Sequence, residues 1–244
     1  MHIMNNKRVL YLITARSQSK SIKNKNIKPL GGLELLCYRI KSAKKIADSK
    51  DIWLSTDSLD YAKIGEKAGA TVPFIRPLEL ALDTTPSVDV VEHAMLFAEN
   101  IGMQYDALCL LEPTVPFIPY HYLLEARDAL FDDKDAENAV AVRRVSPGTF
   151  FIQEDSKYLY RVAENVLKNN GVKRRQDEPA EITPSGGFYF AKWEVFKKKK
   201  SFYTDKTLSI RVPELYSTEI DEPIDFLWCE FLLQQSLINL TELF

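Results

Sequence analysis

Glycine is absent from Ala15 to Asn26, a basic stretch that follows the first apolar run of the chain. Its absence excludes a GxxxxGK[ST] phosphate loop and a GxGxxG dinucleotide fingerprint there, and with them a dinucleotide-dependent oxidoreductase. An excess of one charge is also missing. Lysine and arginine number 32 against 34 aspartates and glutamates, for a formal net charge of -2. No global field therefore draws the chain to nucleic acid or to an anionic membrane, and any cationic site must be local. Cysteine is scarce: Cys37, Cys109 and Cys229 are odd in number, far apart and set among apolar residues. Paired metal or redox spacings are excluded, and the three read as core thiols of a cytoplasmic protein in a reducing compartment. The apolar run after the polar start Met1–Arg8 is too short for a signal segment or a membrane span. The histidines His2, His93 and His121 do not cluster, so packing or solvation is the expected role of the two that fall in helical patterns.

What is present organises the 244 residues as one large α/β domain, 1–244. Apolar runs at Val9–Ile13, Ile52–Leu54, Val72–Ile75, Ala107–Leu111 and Ala139–Val142 predict strands. Helical faces alternate with them, formed by Leu36, Ile40, Ala43 and Ala47 and by Val88, Val91, Met95 and Ala98. That order predicts a three-layer α/β/α sandwich around a mostly parallel sheet. Between residues 147 and 184 the pattern changes. Phe150, Phe151, Tyr158 and Tyr160 sit among charges without helical period, which predicts a projecting hairpin arm suited to dimerisation. The chain returns through Gly187–Ala191 and a strand near Leu208–Val212, and closes with a helix whose Ile224, Leu227, Trp228 and Phe231 share a face. The run Lys197–Lys200 has no interleaved aromatics and reads as a solvated helix end or turn.

The basic stretch carries the first chemical signal. Arg16, Lys20, Lys23 and Lys25, with Asn24 and Asn26, leave the carboxyl end of a buried strand. Open α/β sheets place their ligands at such ends, and this donor set suits a polyphosphate. A solvated surface turn is the alternative for this segment taken alone.

Further segments, in order, extend the pattern over nearly the whole chain: Ala15-Arg16 with Ser19-Lys20 and Lys25-Asn26; Ser55-Thr56-Asp57; Phe74-Ile75-Arg76-Pro77; Asp83-Thr84 with Ser87-Val88-Asp89-Val90-Val91; Leu111-Glu112-Pro113-Thr114; Arg174-Arg175-Gln176-Asp177; and Glu219-Ile220-Asp221. In this combination the chain resembles the acylneuraminate cytidylyltransferases, the CMP-nonulosonate synthetases. The resemblance implies a Rossmann-like sheet of the nucleotide-diphospho-sugar transferase type, and the arm at 147–184 points to a homodimer. It implies transfer of CMP from CTP to the anomeric hydroxyl of a sialic-acid-like sugar, with release of pyrophosphate and help from Mg²⁺.

Carried over residue by residue, it makes Arg16, Lys20 and Lys25 the cations that spread the triphosphate charge. Asn26, Arg76 and Ser87 become further nucleotide contacts, with a helix N-cap as the local alternative for Ser87. Asp83 and Thr84 shape a turn, and Ser55-Thr56-Asp57 ends a strand with either a cleft-facing or a capping role. Glu219 and Asp221 flank Ile220, so on an extended segment both carboxylates share a face and can serve Mg²⁺, with an acidic surface strand end as the alternative. Glu112, Arg174, Arg175 and Gln176 fall on the sugar side, the arginine pair being equally suited to a dimer interface.

Several positions depart from the family pattern. Glu112 replaces a glutamine and, when ionised, can only accept hydrogen bonds. Glu219 replaces an aspartate, Ser185 an asparagine, and Ser17-Gln18 a glycine pair that would let the backbone approach the triphosphate more closely. An eight-carbon keto acid or a sugar phosphate as acceptor, or a non-catalytic binding homologue, remain the competing readings. The choice among sialic, legionaminic and pseudaminic acids stays open.

Overall fold

The computed structural model describes residues 7–146, 157–168 and 180–244. The chain opens with strand β1 (Val9–Thr14), the basic loop, a 3-10 turn at Lys25–Ile27 and a small hairpin of β2 (Pro29–Leu30) and β3 (Leu33–Glu34). Helix α1 (Leu35–Lys44), strand β4 (Ile52–Ser55), helices α2 (Leu59–Ala68) and α3 (Ser87–Asn100), strand β5 (Ala107–Leu111) and helix α4 (Tyr120–Asp132) follow. Then come β6 (Asn138–Val145), α5 (Tyr160–Lys168), β7 (Glu181–Lys192), α6 (Trp193–Lys199), β8 (Thr207–Arg211), α7 (Pro223–Gln234) and α8 (Leu240–Leu243).

Six strands form one sheet in the order β4-β1-β5-β7-β6-β8. β4, β1 and β5 are parallel, as are β6 and β8, and β7 alone runs against its neighbours. Residues Val9 to Ile13 are all buried, as expected of a strand covered on both faces. Alternation along β1 sends Val9, Tyr11 and Ile13 to a core shared with α1 and α4, and Leu10 and Leu12 to a second core with Val91, Met95 and Phe196 of α3 and α6. The sandwich is therefore three layers, as predicted. A third cluster packs α7 and α8 on Leu30, Leu35, Tyr38 and Phe117. Cys37, Cys109 and Cys229 are all buried free thiols, as read from their spacing.

One expectation is corrected, and the shared face of the closing helix is found as expected. Val72–Ile75 is not a strand; only Thr71 bridges to Trp53 before the chain turns away. Pro73 lies inside that run and has no N–H to give a ladder. In α7 the stripe Ile224, Leu227, Trp228 and Phe231 faces outward, each residue at least 45% exposed, while Phe226, Cys229 and Leu232 are buried. The helix carries two apolar stripes, and only its neighbours in the third cluster decide which is covered. The proposed arm at 147–184 falls largely outside the described residues. Within it lie helix α5, which the aromatic pattern did not predict, and the start of β7, where Glu181–Pro184 pair with Val142–Val145.

Candidate active site

The chain moves from β1 to β4 on one side of the sheet and later from β5 toward β6 on the other, so the carboxyl ends of β1 and β5 flank a topological switch point. A cleft of about 540 Å³ opens there, lined by residues that follow both strands. Arg16, Lys20, Lys25, Asn26, Arg76, Ser87, Glu112 and Asp221, all expected from the sequence, border this single cleft. The basic run is thus a wall of a site rather than a free turn.

The loop after β1 is held at almost every residue. The Asn26 side-chain amide, itself buried, donates to the Arg16 carbonyl at 3.1 Å, so its role here is to close the loop on itself. Asn24 enters the 3-10 turn in the left-handed region (φ 54°), which asparagine tolerates better than most residues. Lys25 Nζ donates to the Ile220 carbonyl at 2.8 Å and lies 3.6 Å from the Asp221 carboxylate, and the Ser21 hydroxyl donates to the Asp221 carbonyl. Asp83 does more than shape a turn: it pairs with both Arg16 and Lys20 across the cleft mouth, the Lys20 contact at 2.6 Å. Those two cations hold its carboxyl below the ordinary range.

Ser55-Thr56-Asp57 also proves more than a cap. Ser58 is the N-cap of α2, accepting from the Tyr61 amide, and Thr56 Oγ1 accepts from the Ser58 amide. Asp57 instead turns back to the basic loop, accepting from the Ser17 amide at 2.8 Å and from the Ser17 hydroxyl at 2.6 Å. Arg76 lies beside it. Its backbone amide donates to the Thr56 carbonyl at 2.8 Å, its side chain is only 4% exposed, and its Nε and Nη2 have no hydrogen-bond partner. Burial lowers the pKa of this guanidinium and Asp57 opposes that shift. These two donors are sealed from solvent, and what Arg76 presents to the cleft it lines is its positive charge, suited to an anionic oxygen.

Ser87 is the first residue of α3 and not its cap; Pro86 holds the cap position, and the serine lines the cleft. Glu112 follows β5 at the cleft floor. Burial first, and then the neighbouring Glu219 carboxylate, push its pKa up to about 7 against the pull of Arg76 and Lys25. The alternation around Ile220 is as expected, with Ile220 fully buried and both carboxylates at the surface. The carboxylates serve different places: Asp221 lines the cleft, whereas Glu219 packs toward Gly186 and feels Arg143. Among the described residues no three His, Cys, Asp or Glu side chains converge as a closed metal site. Arg174, Arg175 and Gln176 lie outside the described residues.

A second pocket of about 270 Å³ shares Ser87 and Glu112 with the cleft and is walled by Leu110, Tyr189, Phe202 and Tyr203. Sequence reasoning missed these aromatics. Alternation in β7 offered the signal for Tyr189, since buried Phe188 and Phe190 on either side send it to the opposite face. Phe202 and Tyr203 sit in a loop without period and offered none. The lysine run is solvated, as read, with Lys197, Lys199 and Lys200 paired to Glu99, Glu137 and Glu92. His93 packs edge-on to Phe74 outside the cleft lining.

Comparison with known proteins agrees with this geometry. A chain from Campylobacter coli described as post-translational flagellin modification protein B is 29% identical over 230 residues, covering 93% of this chain and 95% of its own. An N-acylneuraminate cytidylyltransferase from Streptococcus agalactiae is 29% identical over 220 residues, which are 88% of this chain and 51% of that one. This chain thus spans about half the length of the streptococcal relative. In fold, a CMP:2-keto-3-deoxy-manno-octonic acid synthetase solved with CTP superposes with a TM-score of 0.68 at 13% identity, covering 94% of this chain and all of the other. The family model described as cytidylyltransferase matches residues 10–227, nearly the whole α/β domain including both walls of the cleft, so the chain belongs to the cytidylyltransferase family.

Proposed function

We propose that this chain transfers CMP from CTP to the anomeric hydroxyl of a nonulosonic acid. The sugar hydroxyl oxygen attacks the α-phosphorus, the bond from that phosphorus to the β-phosphate oxygen breaks, and pyrophosphate leaves. The observation that carries the reading is the convergence of Arg16, Lys20, Lys25 and the buried Arg76 on one cleft at the switch point. A triphosphate brings about four negative charges, and its transition state is stabilised by fixed cations placed where charge develops. Arginine grips two oxygens with a planar fork while lysine follows a moving charge, so the mixture suits a leaving pyrophosphate. The aromatic pocket beyond Glu112 supports an acceptor with an apolar substituent, as in an N-acyl sugar, and the N-acylneuraminate relative supports the same class.

Mg²⁺ is part of this proposal. Asp221 is 68% exposed at the cleft wall beside the cleft cations, an oxygen donor of the kind that Mg²⁺ shares with substrate phosphates and water, and Glu219, two residues away on the same segment but outside the cleft lining, is the second donor proposed. When bound, the ion would neutralise phosphate charge and lower the pKa of the attacking hydroxyl. Lys25 holds the segment that bears Asp221 through the Ile220 carbonyl, and so fixes where that donor stands.

The homodimer and the cytoplasmic location stay within the proposal. The outward stripe of α7, with Trp228 and Phe231 stacked at 5.4 Å, supports self-association, and three buried thiols support a reducing compartment. No helix among the described residues is long and apolar enough to cross a membrane.

The test is release of pyrophosphate from CTP and Mg²⁺ with a panel of nonulosonic and eight-carbon keto acids, products being identified by mass. A CMP-nonulosonate is the expected product. A CMP-octulosonate alone would move the acceptor class, and CTP binding without turnover across the panel would favour a binding protein.

A further inference from the structure

Asp57 is nearly dry, with its side chain 5% exposed, yet its carboxylate ends in the basic loop rather than in its own helix. The geometry follows from the sheet. β1 and β4 are parallel neighbours with Thr14 opposite Ser55, and the pairing continues past the strand ends through the Ala15 amide, which donates to the Ser55 carbonyl at 3.0 Å. Two residues further on each chain, Ser17 meets Asp57.

Every polar group of Ser17 is engaged from the β4–α2 turn and the first turn of α2. Its amide and hydroxyl donate to the two Asp57 oxygens, and its carbonyl accepts from the Tyr61 hydroxyl at 3.3 Å. A glycine at this position would offer Asp57 only the amide. The serine supplies the second prong, and with it a loop whose Arg16 and Lys20 start from a fixed backbone. The same carboxylate stands 4.0 Å from Arg76 Nη2, too far for a hydrogen bond but near enough to be the counter-charge of that buried guanidinium. One carboxylate thus braces the backbone of the loop that bears Arg16 and Lys20 and counters the charge of Arg76.

We propose that Asp57 is a positioning residue for the triphosphate: through Ser17 it sets the backbone of the cation loop, and through charge it sets the orientation of Arg76, without touching substrate. The proposal rests on the nucleotide-binding reading of the cleft. It implies a specific energetic pattern. The proposal assigns Arg16 and Lys20 to the β- and γ-phosphates, so loss of the bracket weakens CTP while CMP, which lacks those phosphates, is held as before. A merely structural role for Asp57 would weaken both nucleotides together.

The experiment is calorimetric titration of CTP and of CMP into the wild-type full chain, Asp57→Asn and the milder Ser17→Ala, with circular dichroism to confirm folding. For Asp57→Asn the expectation is a loss of CTP affinity of about tenfold or more, with CMP affinity within about twofold. For Ser17→Ala, which removes one of two bonds to the carboxylate, the expectation is a loss for CTP of about three- to fivefold. Equal losses for CTP and CMP, or unchanged CTP affinity, in whichever variants fold would overturn the positioning role. A wild-type chain that binds neither nucleotide would instead remove the functional reading on which the role depends.

Discussion

Replacing Glu112 by glutamine keeps the shape of the side chain and removes its charge from the floor of the cleft. In the folded chain the carboxyl is raised from its ordinary 4.5 to about 7, by burial first and by Glu219 second. A carboxyl with a raised folded pKa favours the folded state while protonated. Its contribution is fully present below about 4.5 and is lost as pH climbs from there through about 7. At roughly 1.36 kcal/mol per pH unit, the displacement corresponds to about 3 kcal/mol at most. Part of the residue is open to the cleft, and solvent screening reduces this to about 1–2 kcal/mol. Urea unfolding of the nucleotide-free and metal-free protein should therefore show Glu112→Gln more stable than wild type at pH 8, relative to pH 5, by about 1–2 kcal/mol. A stability gap that stays constant across that range, or one that grows toward acid, would refute the account of Glu112 as a carboxylate strained by burial and a like charge.

On the proposed function, Lys25→Ala is expected to lower kcat/KM for CTP by about 10²–10³-fold, since it removes both a cleft cation and the tie to Ile220; steady-state kinetics with folding checked by circular dichroism reads it. Asp83→Asn releases Arg16 and Lys20 from a partly exposed counter-ion, so CTP should bind up to about fivefold tighter, with the gain shrinking as salt rises; weaker binding would mean that Asp83 supports the loop rather than competes with the ligand. Leu227→Glu places a charge in the outward stripe of α7 and should shift the proposed dimer toward monomer in sedimentation with the fold unchanged; a dimer unaltered by it would put the interface elsewhere, and a monomeric wild type would remove the dimer itself.

Periodicity was enough to show the sheet, because burial on both faces turns each central strand into an uninterrupted apolar run, and β1 and β5 are found at or within one residue of the runs Val9–Ile13 and Ala107–Leu111. That the cations of the basic loop border one cleft was equally legible. Cations packed behind a buried strand have few places to go except the strand-end cleft, and Arg16, Lys20, Lys25 and Arg76 meet there. Spacing and apolar neighbours also placed the cysteines in the core.

Tertiary structure decided what depends on pairing across the chain. That Asp57 grips Ser17, that Asp83 crosses the cleft mouth, and that Glu112 lies near Glu219 are contacts over 40 or more residues, with no trace in local pattern. The same holds for α7, where two apolar stripes of similar strength left the buried face undecided until Leu30, Leu35 and Tyr38 packed against Phe226 and its neighbours. Local sequence sets which surfaces are apolar and which charges follow which strand. Which surface is covered, and which charge faces which, is settled only when the folded sheet brings distant strand ends side by side.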